Sequence, residues 1–327
     1  MTDETMRAVQ FDATGGPEVL TFRELATPAP RPGEVRVRHE AIGVNFIDTY
    51  QRSGLYPVRL PCILGGEAAG VVEALGDGVT TLKVGDRVAY IGGSGGYAEA
   101  NVVPADRAVK IPEGISTQVA AAILLKGMTT EALIRRTYPV KAGETVLVHA
   151  AVGGVGQIMT QWLKSIGATV IATVGSAEKA TKARALGADH VILYREQDVA
   201  AEVRRITGGK GVPVAYDSVG KDTFEGTLAS LARRGLFVSF GNASGPVAPF
   251  PPGRLAAGGS LYLTRPTLFD YVATPEDLAA SASLVFEMVV SGKINIEIGQ
   301  TFALSDARAA HEALESRATV GASLLIP

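Results

Sequence analysis

The sequence predicts an α/β chain of two domains, one small and β-rich, the other a doubly wound parallel sheet of six strands. Three observations carry that reading. The first 110 residues are rich in valine and glycine and run in short alternating segments between turns. Beyond residue 125 the rhythm becomes apolar strand, amphipathic helix, apolar strand. A glycine loop, HAAVGGVGQ (149–157), ends the first of those later strands and opens a helix.

In the first part, VRVRHEAIGV (35–44), AAGVVEALG (68–76) and DRVAYI (86–91) read as strands separated by turns such as RPGE and KVGD. Many short strands with Gly/Pro turns describe a β-rich domain. In the second part, TVLVHA (145–150), TVIATV (169–174), HVILY (190–194), PVAYDSV (213–219), LFVSFG (236–241) and LYLT (261–264) read as strands. Helical stretches VGQIMTQWLKSIG, SAEKATKARALG, DVAAEVRRITGG and TFEGTLASLARRG separate the first five. Apolar strands alternating with amphipathic helices place a parallel sheet between two helical layers. A further helix is expected from Thr274-Pro275 to near Gly292, where threonine caps and proline takes the first turn. INIEI and the closing SLLIP return to strand patterning. The expected domains are therefore 1–125 with 295–327, and 126–294.

Composition excludes several classes. The 327 residues are 46% hydrophobic and 20% charged, as in an ordinary globular protein. A net charge of −2 argues against a general nucleic-acid or anionic-membrane binder. MTDETMRAV holds no apolar signal core, and AAAILL (120–125) is too short to span a bilayer. The single cysteine, Cys62, cannot form an internal disulfide and fits the cytosol.

Aligned on G-x-G-x-x-G, the loop reads Ala151-x-Gly153-x-x-Gly156. Gly153 lets the backbone approach a pyrophosphate, Gly154 and Val155 follow it, and Gly156 lets helix and strand pack closely. The helix N-terminus offers unpaired N–H groups to the anion. About 20 residues on, where an NAD site carries an acid, stands Gly175. Ser176, Lys179 and Lys182 come next. A carboxylate there would repel a 2′-phosphate; a hydroxyl and a lysine bind it. Two charge-assisted hydrogen bonds contribute at most about 3–6 kcal/mol, a preference of about 10²–10⁴. Lys179 also reads as a solvated helix lysine; the missing acid favours NADP(H).

The chain resembles the zinc-free quinone oxidoreductases of the medium-chain dehydrogenase/reductase superfamily, the zeta-crystallin-like group, and among them the bacterial NADPH:quinone reductases. The resemblance rests on GETVLVHAAVGGVGQIMTQWLK (143–164), NFIDTYQRSGLYP (45–57), YDSVG (216–220), SFGNASG (239–245), LTRP (263–266) and ESRAT (315–319), which span both domains. Val152 departs from it, since a small residue is usual there. The likeness implies a GroES-like β domain, a Rossmann domain and an active site in the cleft between them. It implies cofactor contacts at Asn45, Thr129, the glycine loop, Gly175, Ser176, Lys179, Tyr194, Ser218, Phe240, Gly241, Asn242 and Arg317. Tyr194 reads equally as a strand-end aromatic covering the sheet.

Zinc-dependent relatives hold the metal with cysteine and histidine. Here the first ligand's place is taken by Asn45, the histidine's by Gly66 before Glu67, and Lys126 stands near the third. Only AYIGGSGG separates GDRV from Tyr97, so the usual zinc-bearing lobe is missing, and one cysteine cannot build a four-cysteine site. The four histidines, 39, 149, 190 and 311, lack ligand spacing. No metal is expected.

Without a Lewis acid, alcohol oxidation is disfavoured and an acceptor that is already electrophilic is favoured. A quinone or an α,β-unsaturated carbonyl needs mainly orientation and hydrogen-bond donors for the developing oxyanion. Candidate catalytic residues are Asn45, as an amide donor, Tyr50 and Tyr56, as hydroxyls and ring faces, and Asp48, as an orienting group. Asp48 also reads as a local cap and Tyr56 as a turn-packing aromatic. No residue declares itself a general acid, which leaves solvent to supply the last proton. The expected function is metal-free quinone reduction with NADPH, including one-electron reduction of ortho-quinones. The rivals are a 2-alkenal, enone or enoyl-thioester reductase and, from another class, a crystallin-like structural or RNA-binding protein. The edge strand LYLT predicts a homodimer.

Overall fold

Alternation shapes the first strands. The computed structural model describes residues 4–317 and 319–327. Two units divide the chain: one runs to Met128 and takes in Thr274–Val290 and Ile296–Pro327, and the other is Thr129–Ala273 with Ser291–Asn295. In the first unit, β1 (Thr5–Phe11) lies between β2 (Thr21–Ala26) and β4 (Cys62–Ile63). The long strand β3 (Glu34–Val44) buries Val35 and Val37 and turns Arg36 and Arg38 away from the core. It pairs with β5 (Glu67–Leu75), with β7 (Ala100–Pro104) and, at its far end, with the C-terminal strand. β6 (Arg87–Ile91) bridges β5 and β8 (Ala108–Lys110). Val9, Phe11, Val35, Val37, Ile42, Val88 and Tyr97 make the core. Helix α1 (Phe46–Ser53) starts from Asn45 and stops at Gly54, whose φ of 83° needs glycine. Helix α2 (Thr117–Glu131) follows β8.

The second unit is the expected doubly wound sheet. Its strands are β9 (Thr145–Val148), β10 (Thr169–Val174), β11 (His190–Leu193), β12 (Val212–Asp217), β13 (Leu231–Ser239) and β14 (Tyr262–Thr264). They pair in parallel in the order β11-β10-β9-β12-β13-β14. Five of the six residues of β10 are fully buried, as a strand covered on both faces requires. The helices are α3 (Gly154–Ile166), α4 (Ala177–Ala185), α5 (Val199–Ile206) and α6 (Phe224–Ser230), then short α7 (Gly253–Ala257) and α8 (Leu268–Tyr271). Helix α6 is shorter than the sequence indicated. Ser230 Oγ turns back onto Gly226 O (2.6 Å), and Leu231 already pairs with Val212 in the sheet.

The tail departs further from expectation. Helix α9 (Pro275–Val290) forms where expected but groups with the first unit, not with the dinucleotide-binding domain. The cause is close packing: a Cβ on Gly127 of α2 would meet both methyls of Val285. Most of INIEI is not strand; β15 is Ile298–Ala303, followed by α10 (Ala307–Glu315) and β16 (Ala322–Ile326). β15 and β16 run parallel, and a parallel pair needs a crossover, which α10 supplies. No helix among the described residues is long and apolar enough to cross a membrane.

Candidate active site

In the second unit the cofactor candidates gather at the carboxyl ends of the strands. Gly153 caps α3 in an extended conformation, its N–H donating to Ala150 O (2.9 Å). The N–H groups of Gly154, Val155 and Gly156 occupy the first turn, where a helix has no internal acceptor for them. A Cβ on Gly156 would collide with Ala150 O and the Ala151 backbone, so glycine is required for α3 to sit on β9. Ala150 itself takes a left-handed φ of 51°, a local strain stored at the loop.

Beside the loop, β10 ends at Val174 and Gly175 follows. A Cβ there would lie 3.0 Å from Tyr194 Oη and 3.4 Å from Arg195 Nε. Ser176 caps α4, its Oγ accepting from Lys179 N (3.3 Å). That bond uses a lone pair and leaves the hydroxyl hydrogen to donate. Burial pushes the Lys179 ammonium pKa down; Arg195 and Lys182 push the same way, against Tyr194 and Glu178. The arrangement disfavours added positive charge and favours an anion. Arg195, whose guanidinium lies 6.0 Å from the Tyr194 ring centre, was missed by sequence reasoning. The signal was there: a second cation directly after the strand-end tyrosine.

On the other side of β9, Asp217 shapes the loop after β12. Its Oδ1 accepts from Val219 N (2.7 Å) and Gly220 N (3.0 Å), and Oδ2 from the Thr223 and Thr227 hydroxyls. Ser218 O accepts from Ala243 N (3.2 Å), so the loops after β12 and β13 lie together. A Cβ on Gly241 would strike Ser218 O. Arg265 donates to Gly241 O (3.2 Å) and, through Nη2, to the Asn242 side-chain oxygen (3.1 Å). The loop carrying Phe240, Gly241 and Asn242 is therefore held beside Ser218. Thr129 is half-buried on α2. Arg317 belongs to the first unit, after Ser316, the residue that ends α10, with a left-handed φ of 58°.

In the first unit, Asn45, Asp48, Tyr50 and Tyr56 converge around α1. Tyr50 and Tyr56 meet edge to face, ring centres 5.3 Å apart. Asp48 is fully buried; its Oδ2 accepts from Asn45 N (2.8 Å) and Tyr97 Oη (3.0 Å). It caps α1 from the third helical position. Asn45 does not present the amide donor expected of it. Its Nδ2 donates to Glu67 Oε2 (3.0 Å), with Gly43 O at 3.4 Å. Both amide hydrogens are thus directed inward; Oδ1 faces the Asp48 backbone N–H across the capping box and offers a ligand only its second lone pair.

Glu67 is the centre of this cluster. Lys126 Nζ donates to its Oε2 (2.8 Å) and Leu125 N to its Oε1 (2.7 Å), and both side chains are at most 6% exposed. A metal does not fit. One carboxylate, already saturated by an ammonium and two N–H donors, is not a zinc donor set. The sequence marked Asn45, Gly66, Glu67 and Lys126 by what they lack, not by this pairing.

Two family models match the chain: the alcohol dehydrogenase GroES-like domain at residues 31–113 and the zinc-binding dehydrogenase at 154–286. The second model's description names zinc, which the donor set above does not accommodate. The chain is 53% identical to the quinone oxidoreductase of Pseudomonas aeruginosa over 98% of its own length and 99% of that protein's. It is 42% identical to the 2-haloacrylate reductase of a Burkholderia species, over 96% of each. The structure of Escherichia coli quinone oxidoreductase complexed with NADPH superposes with a TM-score of 0.97 at 49% identity, over 99% of this chain and 100% of that one. With two family models and near full-length identity above 50%, the chain belongs to the quinone oxidoreductase family of the medium-chain dehydrogenase/reductase superfamily.

Proposed function

We propose that the protein reduces quinones with NADPH and without a metal. The observation that carries the cofactor half is the ring of Ser176, Lys179, Tyr194 and Arg195 around Gly175, where an NAD site would hold an acid. Family membership carries the acceptor half. When bound, the nicotinamide supplies hydride. The chain's own residues bind and orient: the first turn of α3 takes the pyrophosphate, Ser176, Lys179 and Arg195 take the 2′-phosphate, and Ser218 with Phe240–Asn242 flank the far side of the switch point. Asn45 Oδ1 accepts a hydrogen bond from a bound ligand. Tyr50 and Tyr56 form an aromatic wall, and a tyrosine hydroxyl stabilises the oxygen that gains charge. Thr129 and Arg317 complete the cofactor contacts in this reading.

An enone-type acceptor is the second reading, favoured by the likeness to the 2-haloacrylate reductase. The deciding experiment sets NADPH and NADH side by side against ortho-quinones, para-quinones and 2-alkenals. Quinone turnover with NADPH well above NADH is expected. Alkenal preference moves the substrate and keeps the cofactor. NADPH binding without turnover of any acceptor points to the structural or RNA-binding class.

We also propose a cytoplasmic homodimer. β14 is an edge of the parallel sheet, and Tyr262 on it is 60% exposed. Two such edges related by a two-fold axis continue the sheet. Sedimentation at micromolar concentration should give twice the 34.0 kDa chain mass. A charged residue pair placed on β14, as in Tyr262→Asp with Leu263→Lys, should return the monomer; a monomeric wild type overturns the assignment.

A further inference from the structure

A buried chain of hydrogen bonds runs from the surface of the first unit to Asp48. Arg52 on α1 is held by Glu315 of α10 (2.6 and 3.2 Å) and by Gly15 O (3.1 Å). Its Nη1 lies 3.0 Å from His311 Nδ1. His311 Nε2 lies 3.0 Å from Tyr97 Oη, which lies 3.0 Å from Asp48 Oδ2. Arg52, His311, Tyr97 and Asp48 are all at most 3% exposed.

Elementary valence gives the chain one direction. A guanidinium only donates, so His311 Nδ1 accepts. The neutral ring then carries its hydrogen on Nε2 and donates it to Tyr97. Burial, and then Arg52, push the His311 pKa down to about 3, so the ring is neutral in the working range. Tyr97 has one hydroxyl hydrogen, which goes to Asp48 Oδ2. That oxygen also receives the Asn45 backbone N–H, whereas Asp48 Oδ1 is buried with no hydrogen-bond partner among the described residues.

We propose that Arg52 and His311 are positioning residues which, through Tyr97, hold Asp48 as an ionised anchor for Asn45 and so set the geometry of the active site. This rests on the proposed role of Asn45. Asn45 is fixed from two sides, its backbone by Asp48 and its amide by Glu67. Protonation of Asp48 occurs at Oδ1, the oxygen without a partner, and converts two charge-assisted bonds at Oδ2 into ordinary ones. The groups that face the carboxyl are Asn45 and Tyr97, with Lys126, Glu67 and Cys62 in electrostatic range. Burial raises the Asp48 pKa to about 7, against the opposing effects of Asn45, Tyr97 and Lys126 and with that of Glu67. The sign follows: the anchored form is the ionised one, so activity rises as pH passes upward through about 7.

The test uses the full chain in five variants and two readouts. One readout is the pH profile of kcat and KM. The other is the infrared band of the protonated Asp48 carboxyl, assigned by its loss in Asp48→Asn and titrated without acceptor. Tyr97→Phe removes a donor to the carboxylate and should move both midpoints upward by about one pH unit. It should lower kcat at neutral pH roughly tenfold, with a smaller change in KM, as a displaced positioning group does. His311→Leu should act in the same direction. His311→Gln, whose amide can accept from Arg52 and donate to Tyr97, should recover most of the loss. Arg308→Ala, on the exposed face of α10, should behave as wild type. Midpoints unmoved in Tyr97→Phe and His311→Leu overturn the proposal, whatever happens to thermal stability. So do Gln and Leu variants that behave alike. If wild type turns over no quinone, the functional reading fails, and the infrared titration still decides the chain.

Discussion

Lys179→Ala should raise the KM for NADPH about tenfold to a hundredfold and leave the KM for NADH nearly unchanged. The lower bound follows from one charge-assisted hydrogen bond to a phosphate, about 1.5 kcal/mol, and the upper from about 3 kcal/mol. The half-burial of Lys179 keeps the figure from vanishing into solvent screening, and its partial exposure keeps it below the upper limit. NADH lacks the 2′-phosphate and makes no such bond, so the effect should appear in the ratio of the two cofactors. Arg195→Ala should act in the same direction, because its Nε sits next to Gly175. Gly175→Asp should do more than either, since it adds the repelling carboxylate and crowds Tyr194 Oη. The measurement is steady-state kinetics with both cofactors at a saturating quinone. An NADPH to NADH ratio that stays at the wild-type value in Lys179→Ala would place the 2′-phosphate elsewhere.

Much of the fold was legible because it is written in local periodicity. Short β-branched apolar runs such as TVIATV, bounded by glycine turns, read as strands buried on both faces, and the helices between them fix the connections as parallel crossovers. The glycine loop was legible for the same reason, since strand, loop and helix are neighbours in sequence. What escaped was set by distant partners. Helix α6 gave up its last turn because Leu231 finds Val212 in the sheet. Strand patterning marks only INIEI and SLLIP, and no helix is expected between them, where α10 supplies the crossover of a parallel pair. Side-chain chemistry alone makes Asn45 a donor to a ligand; Glu67, 22 residues away, takes that donor. His311 looked like one of four scattered histidines, because its partners Arg52 and Tyr97 lie 259 and 214 residues earlier. Periodicity carries no signal for such pairs.

Lys126→Met should destabilise the protein by about 3–5 kcal/mol, the cost of leaving a buried carboxylate without its cation. Glu67 is fully buried on β5, and Lys126 and Asn45 share its Oε2 while Leu125 N holds its Oε1. Methionine fills nearly the same volume as the lysine stem, so cavity formation adds little. Glu67 then keeps only the neutral N–H donors of Asn45 and Leu125 against the cost of its burial, which lowers stability at neutral pH. The double variant Glu67→Gln with Lys126→Met separates charge from shape. It removes both ionic groups and keeps an amide oxygen for Leu125 N but turns an NH2 toward the Asn45 amide, so it should recover part of the single-variant loss. Denaturant unfolding at pH 7, followed by a probe in the first unit, checks both. The same unit carries Asn45, so loss of the ion pair should also loosen the amide that Glu67 holds and lower kcat in the folded fraction. A single variant within about 1 kcal/mol of wild type would mean that the Glu67 carboxylate keeps enough solvation to do without Lys126. The pair would then be a feature of position, holding the Asn45 amide in place, and its contribution to stability would be that of a surface salt bridge.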